Sequence, residues 1–400
     1  MANSRAFTKG LALIVVPVVL AACGNTSSGT HPTPAAQSPT SSPFAFPSPT
    51  LNGLTPPLKA TVTCASTIPS GSKLALVTLR GGSGIVVRDV TDVAQPVTRC
   101  SITGGVYLRF VNGTRISYIS ESSSDLGASG ALYLVDLQTQ ITTLVRVWAY
   151  GGYMSWLYAW SPDGKELTYI NSDQAGVAWH LLSASGDRTL STLGPVPGRG
   201  VNLDVDDGMV GFSADGQYVA LEETFTGKAS GGADPFQVVR VSDGKLMYSR
   251  ADGTMAVWSA GSTRLYFRTS AGVQSWDPTG QIGTVAAGLK WIHPSASADG
   301  SHVAYTALDA QGNHKAAVID VGPSGGSTIV LSTEPRVGAA FLTSELVWYA
   351  GETICTTATP CGLGGPPLTG VTYISDLAGV ETESKDHDFY DSWPHVVGQS

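Results

Sequence analysis

From Lys59 onward one pattern of apolar and polar positions recurs along the chain. It consists of an aromatic or small apolar residue, a short turn rich in Asp and Gly, and a run of alternating apolar residues. Alternation with a period of two marks a strand that buries one face, and Asp-Gly between two such runs marks a hairpin. The clearest copy is Trp160-Ser161-Pro162-Asp163-Gly164, with Leu167 and Tyr169 in the strand that follows. Phe212-Ser213-Ala214-Asp215-Gly216, with Val219 and Leu221 after it, matches that copy position by position. Weaker copies start at Ile68, Phe110, Trp258, Ala296 and Phe341, so that successive anchors lie 42, 50, 52, 46, 38 and 45 residues apart. A further alternating strand follows, as in Ala131–Asp136, Val177–Leu182 and Ala316–Asp320, and then a more polar one. The Asp-Gly pairs are expected to place both residues at positive φ, as a two-residue hairpin turn requires.

Units of this length hold four strands each, the spacing of propeller blades. The prediction is therefore an all-β fold: a seven-bladed β-propeller of four-stranded antiparallel sheets. Each such sheet has two faces that only neighbouring sheets can cover, and radial closure removes exposed faces and long edges together. The anchoring aromatic residues are expected to pack between blades. The tail from Asp388 through Trp393 to Val397 reads as one more inner strand without its sequel, which predicts that it completes the first blade and fastens the ring. Composition agrees, because 47 glycines and 33 aromatic residues in 400 favour short strands and turns over helices. The 31 acids outnumber the 23 bases, and no Lys/Arg cluster supplies the basic surface that nucleic acid demands.

Residues 1–22 read as a signal peptide, with Arg5 and Lys9 ahead of an apolar run from Leu11 to Leu20 and the small residues Ala21 and Ala22. At ~1.5 Å per residue that apolar stretch covers about 20 Å, too little for a hydrocarbon core of about 30 Å. Leu20-Ala21-Ala22-Cys23 resembles the lipobox of bacterial lipoproteins. The resemblance implies an acylated Cys23 at the mature N-terminus and an extracytoplasmic protein held to the membrane, at the cell surface or the periplasmic face. Residues 23–58 would then be the lipidated cysteine and a Pro/Ser/Thr-rich tether. Between Gly24 and Pro57 there are eight prolines and no charged side chain, so this stretch cannot form a core. The folded domain is expected over residues 59–400, as a monomer. Four cysteines remain, Cys64, Cys100, Cys355 and Cys361, and an even number in an exported chain suggests two disulfides. The favoured pairing is Cys64 with Cys100 and Cys355 with Cys361, one of three arrangements that four cysteines allow.

The Trp-Ser-Pro-Asp-Gly block at 160–164 and the Phe-Ser-Ala-Asp-Gly block at 212–216 resemble the TolB-like, WD-repeat-like propeller repeat of exported bacterial proteins. The likeness covers nearly all of residues 59–400 and is strongest in units three and four. It implies the propeller fold and no particular activity. With only a tether expected ahead of the blades, it does not imply a role in the Tol–Pal envelope machinery.

Few residues suggest chemistry. Gly322-Pro323-Ser324-Gly325-Gly326 matches the nucleophile-elbow spacing, but that motif needs a strand before it and a helix after it, and here it joins two strands. Asn202 through Gly208 carries Asp204 and Asp206 at alternate positions, as a calcium loop does. Its glycine comes one place late, and Ser213 stands where the bidentate Glu would fall. Calcium is the one cofactor this loop suggests, and no other is expected. His293, His302 and His314 share one unit without a carboxylate at ligand spacing, and no metal is expected of them.

The loops that enter the inner strands should ring one mouth of the central channel. They would bring Tyr107 and Arg109 from unit two, Tyr153 and Trp156 from unit three, and Asp206 and Asp207 from unit four. Asp252, then Trp291 and His293, then Arg336 would follow from units five, six and seven. Aromatic faces with scattered carboxylates and two arginines suit a sugar or a peptide. The expectation is a binding or protein-interaction module for an unknown protein or glycan, with no catalytic set. Filling of inter-blade space explains Tyr107, Trp156 and Trp291 equally well. The alternative is a propeller enzyme, a lyase or glycoside hydrolase acting on extracellular or cell-envelope polysaccharide. It would use paired carboxylates among Asp204, Asp206, Asp207 and Asp252, at a separation of roughly 5 to 10 Å.

Overall fold

The computed structural model describes residues 54–65, 67–79, 84–121, 129–149, 157–173, 176–194, 209–222, 236–309, 312–322, 326–354, 368–384, 389–390 and 395–396. Among these residues there are thirty strands and no helix. In chain order, β1 (Thr61–Cys64), β2 (Lys73–Thr78), β3 (Ile85–Asp89) and β4 (Val97–Thr103) belong to blade 1. Blade 2 is β5 (Val106–Asn112), β6 (Arg115–Glu121), β7 (Ser129–Asp136) and β8 (Ile141–Ala149). Blade 3 is β9 (Tyr158–Trp160), β10 (Leu167–Asp173), β11 (Gly176–Ser183) and β12 (Gly186–Gly194). Blade 4 is β13 (Met209–Phe212), β14 (Tyr218–Glu222), β15 (Phe236–Arg240) and β16 (Leu246–Arg250). Blade 5 is β17 (Thr254–Trp258), β18 (Leu265–Thr269), β19 (Gly272–Trp276) and β20 (Ile282–Ala287). Blade 6 is β21 (Ile292–Ala296), β22 (His302–Leu308), β23 (His314–Asp320) and β24 (Thr328–Val330). Blade 7 is β25 (Arg336–Phe341), β26 (Leu346–Glu352), β27 (Leu368–Asp376) and β28 (Glu381–Glu383). The last two strands, β29 (Phe389–Tyr390) and β30 (His395–Val396), return to blade 1 and pair with β2. Every pairing is antiparallel, so the chain forms an all-β, seven-bladed propeller.

Seven apolar clusters close the ring, one at each junction between blades. Trp160 with Ile119 joins blades 2 and 3, Phe212 with Trp179 joins 3 and 4, and Trp258 with Phe236 joins 4 and 5. Trp291 with Tyr266 joins blades 5 and 6, and Phe341 with Ala304 joins 6 and 7. Trp348 with Ala75 and Val77 joins blade 7 to blade 1, and Leu76 with Tyr118 joins blade 1 to blade 2. The anchor residues of units two to seven therefore sit at the ends of innermost strands or just inside them and pack against the preceding blade. Ile68 is the exception. It packs at the junction of blades 1 and 2, because the innermost position of blade 1 is filled by β29 and β30 from the C-terminal end.

The repeated turn is built differently from the two-residue hairpin that its Asp-Gly pair suggests. Gly164, Gly216 and Gly300 have φ of 67°, 71° and 71°, whereas the aspartates before them are not left-handed. The reason lies in the serine two positions ahead of the aspartate. Ser161 Oγ donates to Asp163 (2.7 Å) and accepts from the Lys165 and Glu166 amides, and the Gly164 amide donates to the Ser161 carbonyl (2.8 Å). Ser213 with Asp215 and Ser297 with Asp299 repeat the arrangement at 2.6 Å. The side chains satisfy the backbone donors of a wider loop, which needs one left-handed residue instead of two.

Blade 1 carries an extra outer strand. β1 pairs with β4 from Thr61 opposite Thr103 to Cys64 opposite Cys100, and that last pair is joined by a disulfide. Cys355 and Cys361 lie outside the described residues, as does Cys23. The preceding residues 54–60 already belong to the folded body. Leu54 and Ala60 join the apolar cluster between blades 1 and 2, so residues just ahead of Lys59 pack against the propeller.

A candidate ligand face

Four innermost strands share a backbone irregularity at one register position. Tyr107, Met255 and His293 have φ of 52°, 49° and 49°, and Gly338 has 72°. Each lies three residues before the anchor of its own blade, Phe110, Trp258, Ala296 or Phe341. The ladder slips at the same places, between Val106 and Arg109, Thr254 and Val257, Ile292 and Ser295, and Val337 and Ala340. These are β-bulges, which re-aim a side chain at the cost of a left-handed residue, about 1 kcal/mol or more for each non-glycine.

In two blades the next blade along holds the bulge in place. The buried Tyr158 hydroxyl donates to the Tyr107 carbonyl, and Trp291 Nε1 donates to the Met255 carbonyl at 2.9 Å. Burial pushes the Tyr158 hydroxyl up to about 12, so it remains a donor at neutral pH. With their carbonyls engaged sideways, Tyr107 is left 41% exposed and Met255 half-buried. His293, at the same position in blade 6, is also exposed. We call this ring of positions the crown. It lies at the end of the propeller where the innermost strands begin.

The other expected ligand residues separate into three groups. Arg109 is exposed, with its guanidinium 5.5 Å from the centre of the Tyr158 ring, close to Tyr107 in sequence and in space. Asp252 is half-buried and already engaged. Arg250 chelates it, and the Ser270 hydroxyl (2.9 Å) and amide (3.3 Å) donate to it. The Arg250 hydrogen bonds hold its carboxyl down at about 2, with Ser270 adding to them against the opposing effect of burial. A carboxylate so placed is ionised throughout the physiological range and cannot serve as a general acid.

Trp291 and Arg336 are removed from the ligand face by packing. Trp291 is fully buried, its ring 6.0 Å from that of Tyr305, and its carbonyl accepts from Arg268 Nη1 at 2.9 Å. Arg336 is 7% exposed and forms a two-pronged pair with Glu381, at 3.0 and 2.7 Å, over the face of Tyr373 at 4.0 Å. It spans blade 7 from the innermost strand to the outermost and holds that sheet together. Tyr153, Trp156, Asp206 and Asp207 lie outside the described residues, as does Asp204 of the calcium loop. Among the described residues, no group of three or more His, Cys, Asp or Glu side chains could hold a metal ion.

Met255 and Gly338 are crown positions that single residues do not reveal. Their signal is the fixed offset of three from each anchor, visible only once the strand ends are known. The accessible crown offers an aromatic ring, an imidazole and a guanidinium on a rigid backbone. Such a set can stack, donate hydrogen bonds and pair with an anion.

No protein-family model matches the chain, and no curated protein matches it. Among solved structures, the β-propeller domain of the trilobed protease from Pyrococcus furiosus is similar at a TM-score of 0.50 and 12% identity, covering 83% of this chain and 99% of that one. That domain is described as having an open velcro topology, whereas here β29 and β30 pair with β2. TolB from Acinetobacter baumannii is similar at 0.40 and 14% identity, over 81% of this chain and 65% of that one. A prolyl endopeptidase is similar at 0.49 and 14% identity, over 81% and 49%. The chain thus spans less than two thirds of the length of the last two. The neighbours include TolB proteins.

Proposed function

We propose that this chain is an extracytoplasmic, lipid-anchored propeller that acts as a binding or protein-interaction module, with the crown as its ligand face. The observation that carries this reading is the repeated bulge. Three non-glycine residues, Tyr107, Met255 and His293, adopt the same costly conformation at the same register, and two of them leave their side chains exposed. Strain kept at equivalent positions in several blades suits residues held out for contact. The engaged state of Asp252 favours binding over acid–base chemistry. The Cys64–Cys100 bond suits an oxidising compartment, which supports reading residues 1–22 as an export signal and Leu20–Cys23 as a lipobox-like motif.

Glycan and peptide arrays probed with the protein test the reading. A ligand should be found whose affinity falls about tenfold or more in Tyr107→Ala and in His293→Ala, the loss expected when an aromatic or charged anchor is removed from a binding face. Equal binding by both variants and the unaltered protein would overturn it.

A further inference from the structure

The N-terminal arm enters the propeller at the crown end. Thr55, Pro57 and Leu58 present their carbonyls to side-chain hydroxyls of blade 2. Ser129 Oγ donates to Thr55 (2.7 Å), the Tyr133 hydroxyl donates to Pro57 (2.6 Å), and Ser120 Oγ donates to Leu58. The Ala60 amide then donates to the Tyr118 hydroxyl (3.0 Å), and Lys59 Nζ to the Thr142 carbonyl (3.3 Å). Pro56 and Pro57 have no N–H, so this stretch cannot add to a sheet as a strand, and hydroxyls reading its carbonyls are the remaining way to hold it. From Thr61 the arm becomes β1 and is locked to β4 by the disulfide.

Register fixes which end of the propeller this is. Ser120 is next to last in β6, and Ser129 opens β7. Val106, the residue before Tyr107, pairs with Ile119, and Glu121 pairs with Gly130. Ser129 and Ser120, which hold Thr55 and Leu58, therefore lie at the same end of blade 2 as Tyr107, while Tyr133 and Tyr118 sit mid-strand and Thr142 lies at the start of β8, so the arm enters at the crown end and runs towards the turn end. The Ser-x-Asp-Gly turns at Asp163, Asp215 and Asp299 lie at the opposite end, because they follow the innermost strands that the crown begins.

We infer that the arm mounts the propeller by its crown end, so that the crown faces the surface to which the N-terminus leads. The Ser-x-Asp-Gly turns then face outward. This rests on the tether and ligand-face readings above and adds a direction to them. Strands of five to seven residues rise ~3.3 Å per residue, which separates the two ends by about 20 Å.

Energy transfer to a membrane dye tests the mounting. The full chain, captured through an N-terminal histidine tag on nickel-chelating lipid vesicles, would carry a single fluorophore on an azide residue replacing Val106 or Lys165. Both sites are exposed, Val106 at the crown end and Lys165 at the turn end. Transfer from position 106 should exceed transfer from position 165 by about two-fold or more, given the ~20 Å offset. Equal transfer, or more from position 165, would overturn the inference. Capture through the tag keeps the outcome separate from native lipidation. If the untagged chain made with its own leader fails to float with vesicles while the tagged chain shows the bias, the tether reading fails and the mounting stands.

Discussion

Replacing Asp89 with Ala should lower the unfolding free energy by about 3 to 5 kcal/mol, the loss typical of a buried charged network deprived of one partner. The Asp89 side chain is 6% exposed and accepts from Ser72 Oγ (2.8 Å), Thr91 Oγ1 (2.6 Å), the Thr91 amide (3.1 Å), and Arg99 Nε (3.1 Å) and Nη2 (2.6 Å). It thereby ties the entry of β2, the end of β3 and the start of β4 into one sheet. Burial alone pushes this carboxyl up, but hydrogen bonds from Thr91, Arg99 and Ser72 outweigh it and bring it down from 3.8 to about 2. The folded state therefore binds the Asp89 proton more weakly than the unfolded chain does. Its stabilisation is complete above a pH of about 4 and is lost as the pH falls towards about 2, a change of about 2 kcal/mol. Denaturant titrations of the unaltered protein and Asp89→Asn should differ fully at neutral pH and converge between those limits. A difference that stays constant down to the lower limit would show that the carboxylate's charge is not what holds the blade.

Removing the disulfide, by Cys64→Ala with Cys100→Ala, should cost about 4 kcal/mol, as chain entropy predicts for a loop of this length. The bond joins residues 36 apart in sequence and fastens β1, a four-residue edge strand with few other attachments, to β4. Without it the outer edge of blade 1 depends on four backbone pairs, the hydroxyl contacts of residues 55–60 and the packing of Leu54, Ala60 and Val62 against the cluster between blades 1 and 2. Chemical reduction of the unaltered protein should reproduce the effect of the double variant. A shift below about 1 kcal/mol in both would mean that the arm is held by its hydrogen bonds, each contributing about that much, and by its apolar packing rather than by the disulfide.

The blade count and most strand positions were legible because each blade repeats the same physical task. In four blades the innermost strand ends in a large residue that fills the wedge between sheets, Trp160, Phe212, Trp258 and Phe341. The C-terminal residues were legible as a closing strand for the same reason, and β29 and β30 occupy that place. Other features depend on distant neighbours. The conformation of Asp163 is set by Ser161 in a wider loop, which the Asp-Gly pair alone does not reveal. Arg336 carries a charge that suggests a rim, yet Glu381, 45 residues away, draws it into blade 7. Trp291 suits a stacking platform by residue type, and the Met255 carbonyl explains its burial instead. The crown was half legible: Tyr107 and His293 stand out as residues, and Met255 emerges only through the shared register.

Hydrogen–deuterium exchange with and without a ligand found on the arrays tests the crown most directly. Ligand should slow exchange at the starts of β5, β17 and β21, over residues 106–109, 254–256 and 292–294. Protection confined to the outer strands or to the Ser-x-Asp-Gly turns, with these three segments unchanged, would contradict binding at the crown.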